Sequence, residues 1–166
     1  MHIAVRVEPA TTALPAVDYR WDADTEILTA SLHPSAVGEG MSGSVEVEGK
    51  DGSWLILEAA SGRIVGLEVA VWPEVRTVAS LVPPSAPVPS RVILPSRQSQ
   101  PGVAVLEVDT VLVATSDKAE RTIHFRIGPT RPTRPVRLAQ DIILDIDERE
   151  RIAGVWMLNV PPFPSS

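Results

Sequence analysis

Apolar and polar residues alternate in short runs along almost the whole chain. Val, Ile and Leu take every second position, and Pro or Gly closes most runs. A period of two places successive side chains on opposite faces, the pattern of a half-buried strand. The runs predict strands at His2–Val7, Ala16–Trp21, Ile27–Leu32, Ser44–Glu48, Trp54–Ala59 and Arg63–Trp72. A second series follows at Arg91–Leu94, Val103–Val108, Val111–Thr115, Thr122–Ile127, Ile142–Ile146 and Ile152–Val160. Helical periodicity is nearly absent, and only PEVRTVASLV, residues 73–82, reads as a helical turn or two. The sixteen prolines fall mainly between the runs, which suits strands better than helices. The pattern predicts an all-β sandwich or barrel-like domain with little or no helix.

The chain also repeats itself. GRIVGLEVAVWP at 62–73 returns as ERIAGVWMLNVP at 150–161. WDADTEILTASLHPS, ending at Ser35, aligns with SDKAERTIHFRIGPT, ending at Thr130, at an offset of 95. WLILEAASGRIVGLEVAVWP aligns with IILDIDERERIAGVWMLNVP at an offset of 88, without a gap. A period near 90 is long for a solenoid and suits a duplicated small domain. The expected organisation is two related β-rich halves, 1–73 and 90–162, packed about a pseudo-twofold axis. A Pro-rich linker at 74–89, which takes in all but the last residue of the extended PPSAPVPS at 83–90, separates them, and 163–166 forms a tail.

Strand alternation gives the repeated clause its meaning. In the first copy Val65, Leu67, Val69 and Val71 share one face, and the other carries Glu68, Ala70 and Trp72. In the second, Glu68 has become Trp156 and Ala70 has become Leu158. A strand apolar on both faces needs two covers, so Trp156 and Leu158 are interaction candidates, against the other half or a second subunit. Gly66 and Gly154, in mid-strand, mark a close approach by another group.

At these residues the chain resembles the small bacterial proteins of the domain of unknown function 2283 family. Tyr19-Arg20-Trp21-Asp22-Ala23-Asp24 before Ile27-Leu28 looks like that family's opening, and Gly62-Arg63-Ile64-Val65-Gly66-Leu67-Glu68-Val69 like its closing clause. Leu144-Asp145-Ile146-Asp147-Glu148 looks like the acidic segment before that clause. The resemblance implies a tandem arrangement of a bacterial β unit. It implies no catalytic residues.

Charge divides unevenly. Residues 1–73 hold four basic and eleven acidic residues, whereas 90–166 hold ten and nine. The acidic half repels phosphate backbones, which argues against nucleic acid, and aromatics at 4% are too few for a base-stacking platform. An acidic face attracts a basic partner. The chain has no Cys, which excludes disulfides and thiolate sites and fits the cytoplasm. MHIAVRVEP does not read as a signal peptide, and no apolar run approaches the ~20 residues of a membrane helix. The expectation is a soluble cytoplasmic protein with no membrane contact.

Candidate chemistry is sparse. His2, His33 and His124 lack metal-ligand spacing. The glycines of GEGMSG, residues 38–43, precede a strand and so form no phosphate-binding helix start. Asp145 and Asp147 are expected on one strand face, which makes them the candidates for a cation, although DIDERERIAG lacks the calcium-loop pattern and reads as a charged hairpin turn. In RIGPTRPTRPVR, residues 126–137, Arg131 and Arg134 each precede Pro at a spacing of three. A polyproline-like segment would project both to one side, toward a partner carboxylate. The reading is a non-enzymatic binding or interaction module without a cofactor, partnered by a second copy or a basic protein. Two other readings stay open: an immunity or antitoxin-type protein that caps a basic toxin, and a small hydrolase with a site between the halves.

Overall fold

The computed structural model describes residues 2–34, 40–96 and 103–164. Ser35, where the first aligned segment ends, Gly38 and Glu39 of the glycine-rich loop, and the last two tail residues lie outside the described residues. The described chain is all β and contains no helix. Its strands are β1 (Arg6–Pro9), β2 (Val17–Trp21), β3 (Leu28–Leu32), β4 (Ser42–Gly49), β5 (Trp54–Ala60), β6 (Arg63–Val71) and β7 (Val75–Thr77). They continue with β8 (Val88–Ile93), β9 (Val103–Thr110), β10 (Leu112–Ser116), β11 (Ile123–Ile127), β12 (Thr133–Ala139), β13 (Ile142–Asp147) and β14 (Ile152–Met157). All fourteen join one curled, half-barrel sheet. Its concave side holds a single apolar core that includes Leu28, Leu55, Leu67, Phe125, Leu144 and Val155.

Within the first half the pairing order is β2-β3-β6-β5-β4, and within the second it is β10-β11-β14-β13-β12. The ladders also agree in register. Val17 faces Leu32 in one hairpin and Leu112 faces Ile127 in the other, both displaced by 95. Leu67 pairs with Ala30, and Val155, 88 residues on, pairs with Phe125. The gapless alignment fails on β5 and β13. Leu57 pairs with Leu67, whereas Leu144, 87 residues later, pairs with Val155. The cause is the turn between the last two strands of each half. Ser61 and Gly62, both at positive φ, close a two-residue turn between Ala60 and Arg63, as a tight hairpin requires. The second turn has one residue more, with Glu150 at φ 55° and the Arg151 carbonyl accepting the Asp147 amide.

The boundary between the halves is not where composition puts it. β7 runs parallel to β10 on the second half's edge, so residues 75–77 are extended rather than helical. Val75 and Thr77 are β-branched and find an open ladder there. β8 starts inside the Pro-rich segment and pairs in parallel with β12 through Val88 and Pro89. β9 crosses the other way and lies parallel to β4 along its whole length. The N-terminal segment crosses too. Ala4 bridges to Arg151, while Ile93 pairs with Arg63, so each half's leading strand reaches the other half's final turn. RIGPTRPTRPVR ends as β12, not as a polyproline segment. Pro135 lies beyond the two residues that pair with β8, where a missing N–H leaves no gap in the ladder.

Candidate functional site

The convex face of the first half is strongly acidic. β4 reads S-V-E-V-E, and its alternation sends Val45 and Val47 into the core and Glu46 and Glu48 outward. β9 reads L-E-V-D in the same phase, with Leu106 and Val108 inward and Glu107 and Asp109 exposed. Because β4 and β9 run parallel in register, Glu46 stands beside Glu107 and Glu48 beside Asp109. Like charges directly opposite one another on a sheet are destabilising. Glu58 on β5 and Glu68 on β6 extend the patch. Burial pushes the Glu58 carboxyl up, and the neighbouring Glu68 and Glu46 carboxylates push it further. Among the described residues none of these six carboxylates enters an ion pair. The half-exposed indole of Trp54 joins Glu46, Glu48 and Glu107 around a cavity of about 340 Å³, and Val105, 52% exposed, lies on the same face of β9.

The sign of the Glu58 shift sets a test. A carboxyl whose folded value is raised subtracts stability when ionised, and the penalty fades as pH falls through that value. Glu58→Gln is therefore expected to raise the thermal midpoint near neutral pH. The gain should vanish as pH approaches about 4, where the carboxyl protonates anyway. Calorimetry of both proteins across that range checks it.

The second half wears a different face. His124 on β11 and Asp145 on β13 reach each other over β14, Nε2 to Oδ2 at 2.7 Å. Trp156 Nε1 donates to the other oxygen of Asp145 at 3.2 Å, and its ring lies 4.4 Å from the imidazole. Gly154 makes the meeting possible. A methyl group there would lie 2.5 Å from Asp145 Oδ2 and 3.0 Å from His124 Nε2. Trp156 is only half-buried, and within the chain its cover is the strand's own neighbours, His124 and Asp145. Leu158 lies past β14, where its carbonyl accepts the Tyr19 hydroxyl at 2.9 Å and seams the halves together. Burial pushes that hydroxyl's pKa up, so it stays neutral.

Asp145 and Asp147 do not act together. A register shift follows Asp145, and Asp147 turns into a buried knot of its own. Its Oδ2 accepts from Arg131 Nε and Arg151 Nε, each at 2.9 Å, and its Oδ1 from the amides of Arg149 and Arg151 at 2.9 and 3.0 Å. Burial alone would push this carboxyl up. The hydrogen bonds from Arg131, the two amides and Arg151 outweigh it and bring it down to about 2. Both candidate cation ligands are thus spent on side-chain and main-chain donors. Among the described residues no group of three or more His, Asp or Glu is placed to hold a metal ion. Arg131 also donates to the carbonyls of Ile127 and Pro129, so it is internal cement and not a surface anchor. Arg134 does face solvent, paired with Glu150 at 2.6 Å.

The histidines stay apart. His2 and His33 are exposed, and among the described residues the lining of the cavity beside His33 includes Ser31 and Arg63 but no carboxylate. His124 has its carboxylate, yet neither it nor Asp145 lines the cavities beside Trp72, Trp54, Arg151, His33 or Arg134. Among the described residues no hydroxyl is hydrogen-bonded to His124, and no helix is long and apolar enough to cross a membrane. No protein-family model matches the chain, and no curated protein is significantly similar to it.

Proposed function

We propose that the protein is a non-enzymatic binding module whose convex acidic face receives a basic protein surface. One observation carries this reading. Two parallel strands set Glu46 against Glu107 and Glu48 against Asp109, and among the described residues none of the four enters an ion pair. Self-repulsion of this kind costs stability, and a partner's Lys and Arg relieve it on binding. Trp54 adds an indole face on which a guanidinium can stack. The spread of the carboxylates across four strands suits a protein surface better than a single ion. An immunity-type protein is the same geometry with a basic toxin as occupant. The shared strand order and the reciprocal exchange of leading strands support an origin by duplication, with the acidic face built on the first half's strands and the β9 that joins them.

An oligo-arginine peptide titrated against the full chain tests the reading. Saturable binding is expected, weakening steeply as added salt shortens the screening length. Exposed charge pairs contribute about 0.2–1 kcal/mol each. Replacing Glu46, Glu48, Glu107 and Asp109 by their amides should therefore weaken binding by about tenfold or more, with the fold intact. Equal binding by the neutralised variant would sink the proposal.

A further inference from the structure

A second cavity, of about 390 Å³, opens at the seam between the halves. Trp21, at the end of β2, and Trp72, just past β6, stack with centroids 5.7 Å apart and planes 20° from parallel. Phe163, in the tail, meets Trp21 edge-on at 5.2 Å and 81°. Glu26, from the turn after β2, and Glu120, from the turn after β10, stand in the same lining with Ser116. Each half thus supplies one carboxylate from its first hairpin turn.

The polar atoms of the walls are nearly all spent. Trp21 Nε1 donates to the Pro161 carbonyl and Trp72 Nε1 to the Glu26 carbonyl, both at 2.8 Å. The Ser116 hydroxyl donates to the Asp117 carbonyl at 2.7 Å. These bonds fix the rings and leave π surface as what they offer a guest. Glu26 and Glu120 hold φ values of 62° and 58°, in a region that residues other than Gly seldom adopt. Their amides donate to the carbonyls of Asp22 and Asp117, which keeps each turn in that conformation. Strained residues of this kind gather at ligand sites. Both side chains are exposed and form no ion pair among the described residues, and the lining contains no Lys, Arg or His.

A cavity that offers π faces and negative charge, without a free donor, disfavours anions and sugars. It complements a cation with an apolar skin. We propose that this cavity binds an alkylated ammonium group, as carried by a small quaternary amine or by a trimethylated lysine side chain. Its size lies in the range of small-ligand pockets, which favour boundaries between structural units. The site is separate from the acidic face and does not depend on it.

Tryptophan fluorescence and calorimetry on the full chain test the proposal. The probes are choline, its neutral isostere with a tert-butyl group in place of the trimethylammonium, and a short peptide with and without trimethyl-lysine. At least one trimethylammonium probe should saturate the protein, and the uncharged isostere should bind about tenfold more weakly, the scale of a cation–π contribution between about 0.5 and 2 kcal/mol. Choline alone binding assigns a free ligand, and the peptide alone assigns a modified protein. Trp21→Leu should abolish binding but also thins the seam. Phe163→Ala, at a 40% exposed tail residue, and the paired change Glu26→Gln with Glu120→Gln carry the test where folding is unaffected. Each should weaken binding several-fold at an unchanged thermal midpoint. Saturation by neither trimethylammonium probe, equal affinity for the neutral isostere, or indifference to the paired Gln change overturns the proposal.

Discussion

Asp147→Asn is expected to cost about 3–5 kcal/mol of stability, the usual penalty for removing one partner of a buried ion pair. The carboxylate is 4% exposed and answers two guanidinium groups at once. Asparagine preserves the shape and still accepts the amides of Arg149 and Arg151. It cannot neutralise Arg131 and Arg151, whose side chains are only 18% exposed. The loss falls on the β13–β14 turn and on the loop before β12, which Arg131 ties down. It should therefore appear as a lower urea midpoint with an unchanged slope. The pH dependence gives a second check. The folded value of Asp147 is lowered to about 2 from an ordinary 3.8. A depressed carboxylate contributes fully above its unfolded value and loses that contribution as pH falls through its folded value. The gap between parent and variant should stay constant from neutral pH to about 5 and close between about 4 and 2. A variant as stable as the parent would show that the two arginines are adequately solvated without Asp147.

What could be read from the chain follows from what a period of two encodes. Alternation fixes strands and faces, so Leu28, Ala30 and Leu32, like Ile123, Phe125 and Ile127, are recognisable as inward residues. It does not say which sheet accepts an edge strand. That is why β7 and β9 change sides unannounced, and why β12 looks like a proline-rich loop. One inserted turn residue shifts the alignment of β5 on β13, which hides that Glu58 faces Gly66 as Asp145 faces Gly154. The acidic face had a visible signal, carboxylates alternating with valine in SVEVE and LEVD, but parallel pairing brings the two segments together across the halves. Arg131 looked like a surface anchor because local spacing carries no information about the turn it folds back to clamp. The aromatic cavity had the weakest signal. Trp21 and Trp72 each stand where a strand of the first half ends, and only the pairing of β3 with both β2 and β6 makes neighbours of them.

The last expectation concerns the two mid-strand glycines, Gly66 on β6 and Gly154 on β14. Gly154→Ala should destabilise the protein by about 1–3 kcal/mol, the range for overpacking a filled site. A Cβ there would sit 2.9 Å from the Phe125 carbonyl oxygen as well as 2.5 Å from Asp145 Oδ2. The side chain can swing away, but the carbonyl belongs to the β11–β14 ladder and cannot move without opening it. The same change at Gly66 meets nothing closer than the Ala30 carbonyl at 3.4 Å, an ordinary contact. There, alanine should be neutral or stabilising by up to about 1 kcal/mol, since Gly in a strand loses more entropy on folding. Chemical denaturation of the two variants side by side should show a clear loss for Gly154→Ala and none for Gly66→Ala. Adding Asp145→Ala to Gly154→Ala should recover only part of the loss, because the carbonyl clash remains. Equal effects at the two glycines would mean that the bond between His124 and Asp145 does not depend on the gap in β14, and that Gly154 has some other reason to be there.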